Sequence, residues 1–156
     1  MAELNQILYT LFLAMLPVFE CRGSIPYGIF AGVDLPTTFI VSLIGNVLPV
    51  PFLLLFLSRI DGWIMQRSES SSLRRLFVKY VERLRRNSKS QLDRYGFWGL
   101  MIFVAVPLPG TGAWTSCVIA YIFGLDSKKA FAAIALGVLE ACVIVAVLIS
   151  VFNYVI

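Results

Sequence analysis

Hydrophobic residues fill this chain in four blocks, and the residues interrupting them sort the blocks into two kinds. A helix needs about 20 mostly apolar residues to cross the ~30 Å hydrocarbon core of a bilayer. Two blocks reach that length. The first runs over residues 37–58, opened by Asp34, Pro36 and Thr37 and closed by Arg59 and Asp61. Gly45, Asn46, Pro49 and Pro51 predict a kink near its middle. The second runs over residues 128–155, opened by Asp126 and Ser127 as cap candidates and interrupted by one charge, Glu140.

The other two blocks fail the length test at their breakers. Leu4 to Leu16 stops at Pro17, and Glu20, Arg22, Gly23 and Pro26 intervene before Tyr27 to Val33. Phe97 to Val106 stops at Pro107, Pro109, Gly110 and Gly112 and resumes as Ala113 to Leu125. Each block predicts two half-length helices joined by a bend, a re-entrant hairpin over 4–33 and another over 97–125. Arms of about 12 residues reach some 18 Å, enough to enter and leave a membrane on one side. Irregular backbone at such depth needs protein or a water-filled cavity around it. One long kinked span per block is the alternative.

The two halves match without gaps at an offset of 92 residues: Pro17 with Pro109, Ser24 with Ser116, Gly32 with Gly124, Asp34 with Asp126, Phe39 with Phe131 and Gly45 with Gly137. A hairpin plus one span crosses the membrane once, so two copies in series have opposite orientations. The predicted fold is therefore an all-α integral membrane protein, an inverted repeat of hairpin and transmembrane helix. The repeats occupy residues 1–58 and 96–156, with a connector over 59–95.

Composition fits this pattern: 59% of the 156 residues are hydrophobic, 14% are charged, and mean hydropathy is +0.85. The net charge is +4, but ten of the 13 Lys and Arg lie between Arg59 and Arg94 against four acids, leaving the remaining sequence slightly acidic. A basic loop between apolar blocks reads as cytoplasmic, which puts both termini outside and places Lys128 and Lys129 inside. Leu73, Leu76, Phe77, Tyr80, Val81 and Leu84 recur at helical spacing among arginines, predicting a surface-lying amphipathic helix that favours anionic lipid headgroups. The loop carries no recognisable nucleic-acid module, so no nucleic-acid partner is expected. Two spans and two hairpins give little protein to cover broken backbone, which predicts a homodimer.

Cys21, Cys117 and Cys142 match no metal-ligand spacing and the chain has no His, so neither metal nor cofactor is expected. The N-terminus, MAELNQ, has no basic region before its apolar run and is expected to be retained.

Ionisable residues within apolar sequence are candidate pathway residues. Glu20 and Arg22 fall in the first bend, as a charge pair or as groups facing a cavity. The second bend, Pro107 to Trp114, has no charge. Its Gly110, Thr111 and Gly112 offer converging backbone N–H groups, and the following arm points its positive end at them. With Arg22 they predict a site for an anion, preferably a phosphate, which Trp114 could line. Glu140 is a buried acid on this reading, pairing with Arg22 or exchanging a proton, as Glu20 could.

The motif E-x-R-G-x-I-P at Glu20 to Pro26, P-x-P-G-T-G-x-W at Pro107 to Trp114 and the basic connector between them resemble the small multidrug export family, a distant relative of the DedA (VTT-domain) superfamily. The resemblance covers nearly the whole chain. It implies a prokaryotic inner-membrane protein with two opposed re-entrant hairpins. DedA relatives are associated with polyprenyl-phosphate lipid translocation and the proton gradient. The expected function is a transporter or lipid translocase for an anionic, phosphate-bearing substrate. Proton-coupled export of hydrophobic cations is the alternative, and a membrane scaffold a third. Enzymatic chemistry is not expected, because no nucleophile, base and orienting group assemble.

Overall fold

The structure is a computed structural model describing residues 2–65, 95–108 and 110–155; the predicted amphipathic helix of the connector lies outside them. The described residues form helices and no strand. In chain order these are α1 (Ala2–Met15), α2 (Glu20–Phe30), α3 (Leu35–Val47), α4 (Pro49–Met65), α5 (Tyr95–Ala105), α6 (Ala113–Phe123) and α7 (Ser127–Val155).

Among the described residues two stretches are long and apolar enough to cross a membrane, Leu35–Arg59 and Ser127–Phe152. The first breaks at Leu48, whose N–H still reaches Ile44 O at 2.9 Å. Pro49 and Pro51 follow, and each lacks the N–H that would continue the ladder. By contrast α2 and α6, at 11 residues each, reach only about 16 Å.

Glu20, Arg22 and Pro26 do not lie in a bend as the sequence suggested. The first bend is confined to Leu16–Phe19, and α2 begins at Glu20 and runs through Pro26. The missing Pro26 N–H removes one helical hydrogen bond, to the carbonyl four residues back. That is tolerable in a helix held on three sides by α1, α3 and α7.

Local geometry recurs 92 residues apart. Gly32 and Gly124 both take left-handed backbone (φ 88° and 71°), and beyond them Val33 N bonds Gly28 O and Leu125 N bonds Ala120 O, each at 2.9 Å. This Schellman-type ending needs a residue free of the Cβ penalty. Asp34 then caps α3 through Thr37 N (2.9 Å), and Asp126 caps α7 through Lys128 N and Lys129 N (both 3.1 Å). Gly45 and Gly137 are the points of closest approach to the first arms. A Cβ on Gly45 would meet Leu11 O and Ala14 Cβ at 2.8 Å, and one on Gly137 would meet Met101 O at 2.5 Å and Val104 Cβ at 2.7 Å. These arm residues are 90 apart, not 92. The first arms are therefore out of step with the gapless match, because the second bend is longer, and Pro17 corresponds in position to Pro107.

One core joins all of this: Ile25 of α2, Val50 and Leu54 of α4, Leu100 and Val104 of α5, Cys117 of α6, and Ile134 and Val138 of α7. Thr10, Ser24, Thr38, Ser42, Asn46 and Ser116 are also fully buried, with Ser24 Oγ bonded to Ser42 Oγ at 2.8 Å. Large apolar side chains such as Phe12, Phe52, Phe56, Val147 and Leu148 point outward. Small polar groups between helices and apolar ones outside suit a lipid solvent.

Candidate functional site: an ion pair between two broken helices

Glu20 opens α2 with φ 48°, the one described non-glycine residue with positive φ. Left-handed backbone is uncommon for a long side chain and stores strain of order 1–3 kcal/mol, so the surroundings must hold it. Two consequences follow. Residues at i and i+2 do not meet on a regular helix. The distorted start nevertheless lets Glu20 Oε2 pair with Arg22 Nη1 at 2.5 Å. It also turns the carboxylate, 3% exposed, toward the beginning of α6.

That beginning has no cap of its own. Gly112 is the N-cap residue, extended (φ −87°, ψ −173°) and without a side chain. The N–H groups of Ala113 and Trp114 face the Glu20 carboxylate instead. A Cβ at Gly112 would collide with both carboxylate oxygens. The unpaired N–H groups and positive end of a helix favour an anion, and here the anion is a carboxylate from another part of the chain. Its Oε1, although buried, completes no well-formed hydrogen bond, so its hold on α6 is chiefly electrostatic.

Arg22 does the converse for α5. Its Nη2 donates to Val104 O (3.3 Å), Val106 O (3.0 Å) and Thr111 Oγ1 (3.0 Å). The carbonyls at the end of α5 lack helical partners, and a cation there also suits the helix dipole. Thr111 Oγ1 lies 2.6 Å from Val106 O and 2.8 Å from Leu108 O. Its single proton serves one of them at a time while its lone pairs accept from Arg22. The second bend returns the favour: Trp114 Nε1 donates to Met15 O, at the end of α1, at 3.1 Å.

Of the residues the sequence singled out, Glu20, Arg22, Thr111, Gly112 and Trp114 are thus tied together. Gly110 supplies a left-handed turn (φ 85°) with open space around it. Glu140 does not join them. The sequence reads Glu140 as buried, pairing with Arg22 or exchanging a proton; it is exposed instead, and among the described residues Arg22 has only Glu20 as an ion-pair partner. The cause is rotation around α7: Val138, Ala141, Cys142 and Val145 face the core, whereas Leu139, Glu140, Val143 and Ile144 face outward.

The sequence did not reveal that Cys21 and Cys142 are neighbours in the buried core, with Asn46 beside Cys21. Asn46 in the middle of an apolar span was the available signal. No three His, Cys, Asp or Glu among the described residues gather as a metal site would require.

Two apolar spans, broken shorter helices and an apolar exterior define an all-helical membrane protein. Residues 20–144 match the family described as "Putative small multi-drug export protein", and the chain belongs to that family. No curated protein and no solved structure matches it.

Proposed function

We propose that this chain is a proton-coupled exporter of small hydrophobic cations, and that Glu140 is its exchanging carboxylate. One observation carries this reading: Glu140 stands on the exposed apolar face of a candidate span, with no cation paired to it among the described residues. A carboxylate there is costly, by roughly 2.5–3.5 kcal/mol on insertion scales for an acid at mid-span, unless it binds a proton or a cation. Those two alternatives are the two states of an antiport cycle. The family description supports export. Arg22 does not oppose a cationic cargo, since Glu20 compensates its charge.

In this reading the protein is two units of hairpin plus span in opposite orientation. The support is the recurrence of the Gly32 and Gly124 endings, the Asp34 and Asp126 caps and the Gly45 and Gly137 crossings. It resides in a prokaryotic inner membrane as a homodimer with the basic connector in the cytoplasm, and does no chemistry on its cargo. The test is efflux of a lipophilic cation from proteoliposomes under an imposed pH gradient. Glu140→Gln is expected to abolish gradient-driven flux, and undiminished flux would overturn the assignment.

A second reading, an anionic phosphate-bearing lipid-like substrate, is favoured by the junction of the bends. There a guanidinium with a buried, unpartnered Nε lies beside the N-terminal end of α6. The DedA resemblance points the same way. Flux of labelled polyprenyl phosphate that survives Arg22→Gln would eliminate it.

A further inference from the structure

The junction already contains an anion, and that anion belongs to the protein. Glu20 is almost fully buried and its Oε1 completes no hydrogen bond, yet the carboxylate occupies the space in front of Gly112. Around it are the groups an oxyanion needs: the Arg22 guanidinium, with Nε also unpartnered, the Thr111 hydroxyl and the first N–H groups of an 11-residue helix. The strained backbone of Glu20 is what holds the carboxylate there.

We propose that this position is a binding site for a tetrahedral oxyanion, a phosphate monoester or sulfate, with Glu20 as its resident competitor. One proton taken up from water neutralises the Glu20 carboxylate. Its attraction to Arg22 and to α6 falls away, the side chain withdraws, and the oxyanion takes its place on Arg22, Thr111 and the α6 N–H groups. Binding one oxyanion therefore takes up one proton. Gly112 is required in both states, because a Cβ would fill the shared space. This deepens the anionic reading above and rests on it for any role in transport, while the site itself does not require that the anion be carried.

The groups facing Glu20 are few. Arg22 and Cys21 lie on its own helix, Cys117 on α6 and Cys142 on α7; α1 and α3 contribute no titratable group that interacts with it among the described residues. A carboxyl ordinarily changes charge in acid, whereas a thiol ordinarily does so only near about pH 8.5.

The test is sulfate binding to the purified full chain by calorimetry, because sulfate does not itself titrate in this range. Affinity is expected to fall about tenfold per pH unit once the carboxyl is ionised. Glu20→Gln should bind sulfate with no pH dependence and, at alkaline pH, more tightly than wild type. Arg22→Gln should not bind. A merely structural Glu20 predicts instead that binding is pH-independent, or that it is lost in Glu20→Gln while the fold persists; either result overturns the proposal. Should Glu20→Gln not fold, wild type decides, titrated in two buffers of different ionisation heat: one proton per sulfate supports the proposal and none refutes it. Dihexanoyl phosphatidate in parallel identifies the source. Binding of it alone assigns the site to lipid headgroups, binding of both to oxyanions generally, and binding of neither overturns the site. Proton-linked binding without polyprenyl-phosphate flux would discard the anionic transport reading and leave the site standing.

Discussion

Glu20 and Glu140 are both carboxylates embedded in apolar sequence, and the fold treats them in opposite ways. Glu20 is enclosed, paired with Arg22 and aimed at a helix terminus, so its charge links three broken ends of backbone, the start of α2, the end of α5 and the start of α6, through the Arg22 network. Glu140 faces outward from an intact helix, without a cation among the described residues to pair with it. The difference teaches that an acid in a membrane segment is not defined by its depth in sequence. What matters is whether the fold supplies its countercharge or leaves that to a proton or ligand.

Substitution of each acid should separate the two roles. Glu20→Ala leaves a partly buried guanidinium without its counterion and α6 without its cap, and breaking a buried pair in this way costs about 3–5 kcal/mol. A large fall in the unfolding midpoint in detergent is expected. The same measurement on Glu140→Ala should show a change within about 0.5 kcal/mol, as for exposed positions generally, whereas the proposed coupled export should be lost. Equal destabilisation by both would erase the contrast.

The glycines beside Glu20 sharpen it further. Gly112→Ala puts a methyl group where the carboxylate sits and should destabilise by about 1–3 kcal/mol, an overpacking effect. Gly110→Ala meets only the left-handed backbone penalty, about 1–2 kcal/mol, because nothing crowds that position. In a Glu20→Ala background the penalty at Gly112 should largely disappear and that at Gly110 should persist. Additive behaviour at Gly112 would show that the carboxylate is not what forbids a side chain there.

A third carboxylate gives the smallest effect. Asp34 is exposed outside the first span, and the Thr37 N–H holds its carboxyl below the usual range. The folded value is the depressed one, so the cap contributes above the unfolded value, near pH 3.9, and is lost as pH falls through the folded value. Melting curves of wild type and Asp34→Ala should differ slightly at neutral pH and converge in acid.

Features determined by local chain chemistry were legible in the sequence. Pro17 and Pro107 end helices because they remove a donor, Asp34 and Asp126 cap because a carboxylate reaches an N–H three residues on, and Gly32 and Gly124 turn left-handed because they have no Cβ. Features determined across the fold were not. Pro26 read as a breaker, whereas packing on three sides retains it in a helix. The orientation of Glu140 could not be read because both faces of α7 are apolar, which removes the contrast that tells one side from the other. Arg22 and the glycines could be singled out from their residue types, but the carboxylate that lies against Gly112 belongs to Glu20, 92 positions away in the chain, and no local pattern announces that approach.

The bonds from Arg22 to Val104, Val106 and Thr111 span 82, 84 and 89 positions, and Trp114 reaches back 99 to Met15. During synthesis, the amino-terminal half therefore enters the membrane with its Glu20–Arg22 pair in place but with the α5 carbonyls, the Thr111 hydroxyl, the α6 N–H groups and the Trp114 donor still untranslated. These bonds can close only once the carboxy-terminal half has been made, so a fragment ending before Val104 lacks every one of them.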